Sequence, residues 1–139
     1  ACMALGADGV QIGSRFVASH ESSAHINFKK AILDAKEGDT ELTLKELTPV
    51  RLLKNEFHSS VKEAYSKNAS IEELAELLGR GRAKKGMFEG DLQNGELEIG
   101  QIAGIMNELL PAKQIILDLV KEFNEAKNEL TKISLNQND

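Results

Sequence analysis

The chain has 139 residues, 17 Lys and Arg against 22 Asp and Glu, a net charge of -5 and 41% hydrophobic residues. That length suits one ordinary domain able to bury a core, and the acidic, well-mixed charge argues against a nucleic-acid surface. No apolar run approaches the roughly 18 residues of a membrane span, and no leader-like stretch is read at the start. The single cysteine, Cys2, excludes an internal disulfide, so a reducing cytoplasm is the expected compartment. Its apolar context with no adjacent base makes Cys2 a poor nucleophile.

Ala1 to Leu5 reads as the last turn of a helix, and no N-cap or capping box precedes it. The expectation is a chain that starts inside an element, as the C-terminal portion of a longer protein. Gly6 caps that turn, since glycine takes the left-handed conformation at no steric cost. Ala7-Asp8-Gly9 then turns the chain into a very short apolar strand, Val10-Gln11-Ile12. Gly13 leaves the strand without a side chain, and Ser14 and Arg15 follow with donors. A strand that ends in Gly-Ser exposes backbone N–H groups able to converge on a phosphate. In a parallel (β/α) barrel, ligands bind at that end of the strands. The order suggests the last strand of a phosphate-binding barrel, with the ligand at Gln11, Ile12, Gly13 and Ser14. The plainer reading is any connection between a helix and a strand with glycines at its turns.

Downstream, a helix is expected over about residues 22 to 36, with Ala24, Phe28, Ala31, Ile32 and Ala35 on one face. Glu41 to Leu47 alternates polar and apolar, a half-buried strand pattern that Thr48-Pro49 breaks. Val50 to Asn55 is open between strand and helical turn, and residues 56 to 66 carry a weak helical pattern. Ser70-Ile71-Glu72-Glu73 is a capping box opening a helix with Ile71, Leu74, Leu77 and Leu78 together. Gly79 to Gly90 mixes glycines with Arg80, Arg82, Lys84 and Lys85, as a mobile basic loop or a loose helix. Asp91 to Gly95 is turn-like. Gly100-Gln101-Ile102-Ala103-Gly104 opens an apolar helix to about Leu110, and Pro111 starts the last helix at its favoured first position. Ile116, Leu119, Val120, Phe123 and Leu130 form its stripe, suited to an outer barrel wall. Residues 131 to 139 are expected to fray. About five helices and two or three strands result.

The run Ala4-Leu-Gly-Ala-Asp-Gly-Val-Gln-Ile-Gly-Ser-Arg-Phe16 resembles the end of the FMN barrel in the nitronate monooxygenase (2-nitropropane dioxygenase) family. That family includes the flavin-dependent enoyl-acyl-carrier-protein reductases. The resemblance continues through Glu21-Ser-Ser-Ala-His25, Phe28-Lys29, Asp39-Thr40, Val50-Arg51 and Lys54-Asn55. It returns at Gly90-Asp91 and Gly100-Gln-Ile-Ala-Gly104. The phosphate turn alone is also similar to that of inosine-monophosphate dehydrogenase-like barrels; joined to Gly-Gln-Ile-Ala-Gly in the right order, it singles out this family.

The resemblance implies an α/β fold: the C-terminal part of an FMN-binding (β/α)8 TIM barrel plus a mostly helical second domain. Residues 1–20 would be the last strand and phosphate loop, 21–110 the domain over the flavin, and 111–139 a helix returning to the barrel. FMN is the implied cofactor, held at Gln11, Ile12, Gly13 and Ser14, with NAD(P)H a second one in the reductases. The catalytic histidine of the family has no counterpart here, so the catalytic residues are unknown and expected upstream. A nitronate monooxygenase converts nitronate and oxygen to a carbonyl compound and nitrite; the reductases pass hydride to an enoyl thioester. The third alternative is a non-catalytic fragment without flavin.

Implied partners are a small-molecule substrate and the rest of the barrel, with a homodimer left open. His20 and His25 lie five apart, roughly 140° on a helix, and no third ligand completes a metal site. His25, in the shared run, is set near the domain junction, as an interdomain hydrogen-bonding group or a direct participant. Gln101, next to Gly100, is set near substrate or flavin, with helix packing as the alternative. His58 is expected at the surface, and Arg15, Arg51 and Lys54 in structural roles.

Overall fold

Two consecutive leucines organise the fold. Successive strand residues point to opposite faces, so Leu52 enters one apolar cluster and Leu53 another. The computed structural model that shows this describes residues 1–133. Both leucines lie on β2, Val50–Leu53, which pairs antiparallel with β1, Thr40–Thr43, in the register Thr40↔Leu53 to Thr43↔Val50. The other edge of β2 carries residues 97–99: the Leu53 N–H donates to the Leu97 carbonyl at 2.9 Å, and the Ile99 N–H to the Arg51 carbonyl at 3.0 Å.

The helices are α1 (Ser14–Val17), α2 (Ile26–Asp34), α3 (Glu56–Ser66), α4 (Ile71–Leu78) and α5 (Ala112–Thr131). The predicted face of α2 is the buried one: Phe28 and Ile32 join Ala18, Leu53, Leu97, Ile99, Ala103 and Met106. The second cluster holds Leu44, Leu52, Phe57, Val61 and Leu74, so α3 and α4 close over the far face of the hairpin.

Local chemistry sets the helix ends. Asn55 Oδ1 accepts from the His58 N–H at 2.9 Å to start α3. Asn68, at φ +55°, ends it, with Ala69 N–H on Ala64 O and Asn68 N–H on Tyr65 O as a Schellman closure. The predicted capping box opens α4, Ser70 and Glu73 bonding each other's backbone reciprocally. Arg82 covers the other end of α4 by donating to the Leu77 and Leu78 carbonyls at 2.9 and 2.8 Å.

Several expectations change. Val10, Gln11 and Ile12 pair with no strand among the described residues, and Val10 is exposed. A strand needs neighbours for its N–H and C=O groups, and the described residues supply none for Val10–Ile12. Ala1 to Leu5 keeps only a single turn, although Gly6 does end it: at φ +96°, with Gly6 N–H on Met3 O and Ala7 N–H on Cys2 O. The strand expected to Leu47 stops at Thr43, because Leu44 turns the chain at φ +53° to reach the core. The basic segment forms a π-helical turn, Lys84–Phe88. The helix expected to Leu110 is only a 3₁₀ turn, Gln101–Ile105. Pro111 sits at the N-cap of α5 rather than inside it, and Ile115 is the residue α5 buries. The predicted stripe of Ile116, Val120, Phe123 and Leu130 is exposed, since nothing in the described residues covers it. Residues 134–139 of the expected frayed tail lie outside the described residues.

Candidate functional site

Gly13 is the N-cap of α1 and carries no side-chain cap. A helix start leaves its first N–H groups without intrahelical acceptors. Here the N–H groups of Gly13, Ser14 and Arg15 have no acceptor among the described residues. Nothing lies within 4 Å of where a Cβ on Gly13 would stand, so the approach to these donors is open. Gln11 and Ile12 lead into this corner on exposed backbone. Arg15 points elsewhere, donating to the Glu108 carbonyl at 3.3 Å.

Ser14 Oγ accepts from the Gly100 N–H at 3.0 Å. The hydroxyl proton is thus left for another acceptor. A Cβ on Gly100 would stand 2.7 Å from that oxygen, so the close approach requires glycine there. Two sequence motifs, the Gly-Ser turn and Gly-Gln-Ile-Ala-Gly, therefore meet directly. Gly104 packs on the Lys36–Glu37 backbone, where a Cβ would come within 2.9 Å, which is a packing role. Gln101 is exposed and lines an open cavity of about 670 Å³ with Thr40 and Arg51.

The histidines behave differently from one another. His25 caps α2, its Nδ1 accepting from the Asn27 N–H at 3.1 Å, which leaves Nε2 to carry the proton of the neutral ring. Its ring lies against Gly90, where any Cβ would overlap it, and its N–H donates to the Met87 carbonyl at 2.7 Å. It is tied to Met87 and Gly90 at the end of the π-helical turn, not to the Gly13 corner. His20 is exposed. His58, expected at the surface, is buried with 3% exposure. The cause is its place in the first turn of α3, facing β1: Nε2 lies 3.4 Å from Glu41 Oε2 and has no hydrogen-bond partner. Burial pushes its pKa down, and the Glu41 carboxylate opposes this. No group of three or more His, Cys, Asp or Glu among the described residues is arranged to hold a metal.

Glu21, Lys29 and Asn55 fall within the runs shared with the family but carried no expected role; the structure gives each of them a bracing one. Lys29 is buried, and its ammonium donates to the carbonyls of Ser19 (2.7 Å), Ser22 (2.8 Å) and His20 (3.3 Å). It fixes the chain between α1 and α2. A lysine beside Phe28 on an apolar helix face was the available signal. Glu21 accepts from the Ala112 N–H at 2.8 Å and so caps α5, which holds its carboxyl below the usual range. Asn55 also donates to the carbonyls of Leu92 (3.0 Å) and Gly95 (2.8 Å).

The sequence matches the nitronate monooxygenase family model over residues 1–122. A "Probable nitronate monooxygenase" of Staphylococcus saprophyticus is 34% identical over 130 residues, 92% of this chain and 36% of that protein. One of Bacillus subtilis, given the same name, is 58% identical over 43 residues, 31% of this chain and 12% of its own. Among solved structures, FabK from Thermotoga maritima is similar with a TM-score of 0.84 and 40% identity, covering 94% of this chain and 41% of FabK. A point mutant of it gives 0.78 and 38%, covering 94% and 39%. The chain belongs to the nitronate monooxygenase family, a family of oxidoreductases. It spans about a third of the S. saprophyticus relative and shows the mixed helix and strand arrangement of the corresponding part of FabK.

Proposed function

We propose that this chain supplies the FMN-phosphate grip of a nitronate monooxygenase, an enzyme that oxidises alkyl nitronates with O2 to a carbonyl compound and nitrite. The observation that carries the reading is the Gly13 corner. Unclaimed N–H groups of Gly13, Ser14 and Arg15 and the free proton of the Ser14 hydroxyl share an open approach, with Gly100 locking Ser14 in place. Helix-start amides and a hydroxyl suit a phosphate dianion, so the residues present fit the phosphate end of FMN. The flavin, when bound, supplies the redox chemistry; the protein contributes binding and orientation. Gln11 and Ile12 lead the chain to the phosphate, and Gln101 and Gly100 lie on the adjoining turn. His25 holds the neighbouring segment in place by capping α2 and packing on Gly90.

In this reading residues 1–20 carry the phosphate loop, 21–110 the cover over the flavin, and 111–139 the helix that returns to the barrel. The exposed apolar stripe of α5 fits that last role. The catalytic histidine belongs to the rest of the barrel.

A second reading, an FMN- and NAD(P)H-dependent enoyl-acyl-carrier-protein reductase, is favoured by the likeness to FabK. One experiment separates them. The protein, purified at its natural length, is assayed for bound FMN, for nitrite release from propane-2-nitronate, and for NAD(P)H-driven reduction of an enoyl thioester. Nitrite release supports the first reading; enoyl reduction without nitrite moves the assignment to the second. A colourless protein that takes up no FMN overturns both.

A further inference from the structure

Arg51 is a charged side chain whose surroundings the phosphate grip does not explain. It is half-buried on β2, and its Nη1 donates to the Thr40 carbonyl at 3.2 Å and to Thr40 Oγ1 at 3.3 Å. Both acceptors are neutral. None of the ion pairs among the described residues includes it. Partly buried charges ordinarily find a counter-charge. This guanidinium is instead fixed by Thr40 at the wall of the open cavity of about 670 Å³ that Gln101 also lines. Such a volume accommodates a small organic molecule.

The backbone ties this cavity to the Gly13 corner. The Ile99 N–H donates to the Arg51 carbonyl, and the next residue, Gly100, donates to Ser14. A ligand beside Arg51 and Gln101 is therefore separated from the phosphate grip by a single braced segment. The one acid on the cavity wall, Glu37, is exposed and unpaired with Arg51 among the described residues.

We propose that Arg51, with Gln101 on the wall of the same cavity, forms a subsite for a forked oxyanion carried by the reacting small molecule. The planar guanidinium presents paired donors that match two oxygens on one atom, and the Gln101 amide supplies a further donor. The proposal rests on the oxidoreductase reading above. A nitronate and the phosphate of a nicotinamide nucleotide share this chemistry.

The test uses the flavin-loaded protein at its natural length, in two arms. Calorimetry with inorganic pyrophosphate reports the nucleotide phosphate, and KM against kcat for propane-2-nitronate reports the nitronate. Arg51→Met is expected to weaken one of the two by about tenfold or more, with kcat within about twofold. Arg51→Lys keeps the charge without the fork and falls between. Glu37→Gln tightens the same ligand by removing a repulsion, which a purely structural Arg51 would not produce. The arm that moves names the source. Unchanged constants in both arms, in Arg51→Met or, where that variant does not fold, in Arg51→Lys, overturn the subsite. FMN content of each sample is read separately: its absence from the unsubstituted protein overturns the flavin reading, while Arg51-dependent pyrophosphate binding would still stand.

Discussion

Ser14 Oγ and the Gly100 N–H meet at 3.0 Å across 86 residues of sequence, and this bond decides how rigid the Gly13 corner is. Ser14→Ala leaves a part-buried N–H without its acceptor and removes a donor from the proposed phosphate grip. The expected cost is about 1 kcal/mol of stability, read from the denaturant midpoint. A weaker hold on FMN should accompany it, read by flavin release. Ser14→Thr keeps the hydroxyl and should restore both. Gly100→Ala, whose Cβ would stand 2.7 Å from Ser14 Oγ, should loosen FMN although it removes no donor. Full flavin retention in both alanine variants would detach this corner from cofactor binding.

The His25 and Gly90 contact makes a second, independent prediction. His25→Ala removes the α2 cap and should cost about 1 kcal/mol, while His25→Asn, which can cap, should recover most of it. Gly90→Ala is harsher, because the residue sits at φ +81° and its Cβ would enter the imidazole. About 2 kcal/mol or more is expected, seen as a melting-point drop larger than that of His25→Ala.

What the sequence made legible was chemistry that acts within a few residues. The Ser70–Glu73 capping box, the apolar face of α2 and the turn at Gly6 all depend on local spacing, and they form as read. What it hid depends on residues distant in sequence. Val50–Leu53 is a strand because β1 and residues 97–99 flank it, and no local pattern announces that pairing. His58 is buried because the hairpin lies against α3, not because of its neighbours in the chain. The short stretch Val10–Ile12 errs the other way: its apolar pattern suits a strand, but backbone donors need partners that these residues lack. At the candidate site, the Gly-Ser turn and Gly-Gln-Ile-Ala-Gly were each visible as motifs. Their direct contact through Ser14 and Gly100 was not, and neither was the bracing by Lys29.

Burial of His58 makes the second apolar cluster sensitive to acid. Its folded pKa lies below the ordinary 6.5, mainly from loss of hydration, with Glu41 pulling it up and Lys62 and Lys54 pushing it down. Between 6.5 and that lower value the unfolded chain binds the proton more readily, so stability falls as pH falls through this window. Above 6.5 the contribution is fully present. His58→Gln should flatten the pH dependence of melting below 6.5, and amide exchange in α3 should respond before exchange in α2. Parallel pH curves for the variant and the parent would remove His58 as the cause.

Glu96 carries the opposite sign. It is 6% exposed, and burial followed by repulsion from Glu98 raises its pKa above 4.5, against a smaller pull from Arg82. A carboxyl with a raised folded pKa gives stability that is fully present below the unfolded value, 4.5, and is lost as pH rises through the folded value. At neutral pH, above the unfolded value of 4.5, the buried carboxyl is therefore a cost to the fold. Glu96→Gln keeps the shape and removes the charge, so it should raise the melting temperature at pH 7 by about 2–4 °C. The gain should shrink toward zero as the pH drops below 4.5, where both side chains are neutral. Glu98→Gln should give a smaller gain, because it removes only the repulsion. A melting temperature that instead falls at pH 7 in Glu96→Gln would mean that attraction to Arg82 outweighs the cost of burial, and the order of the three effects would have to be reversed.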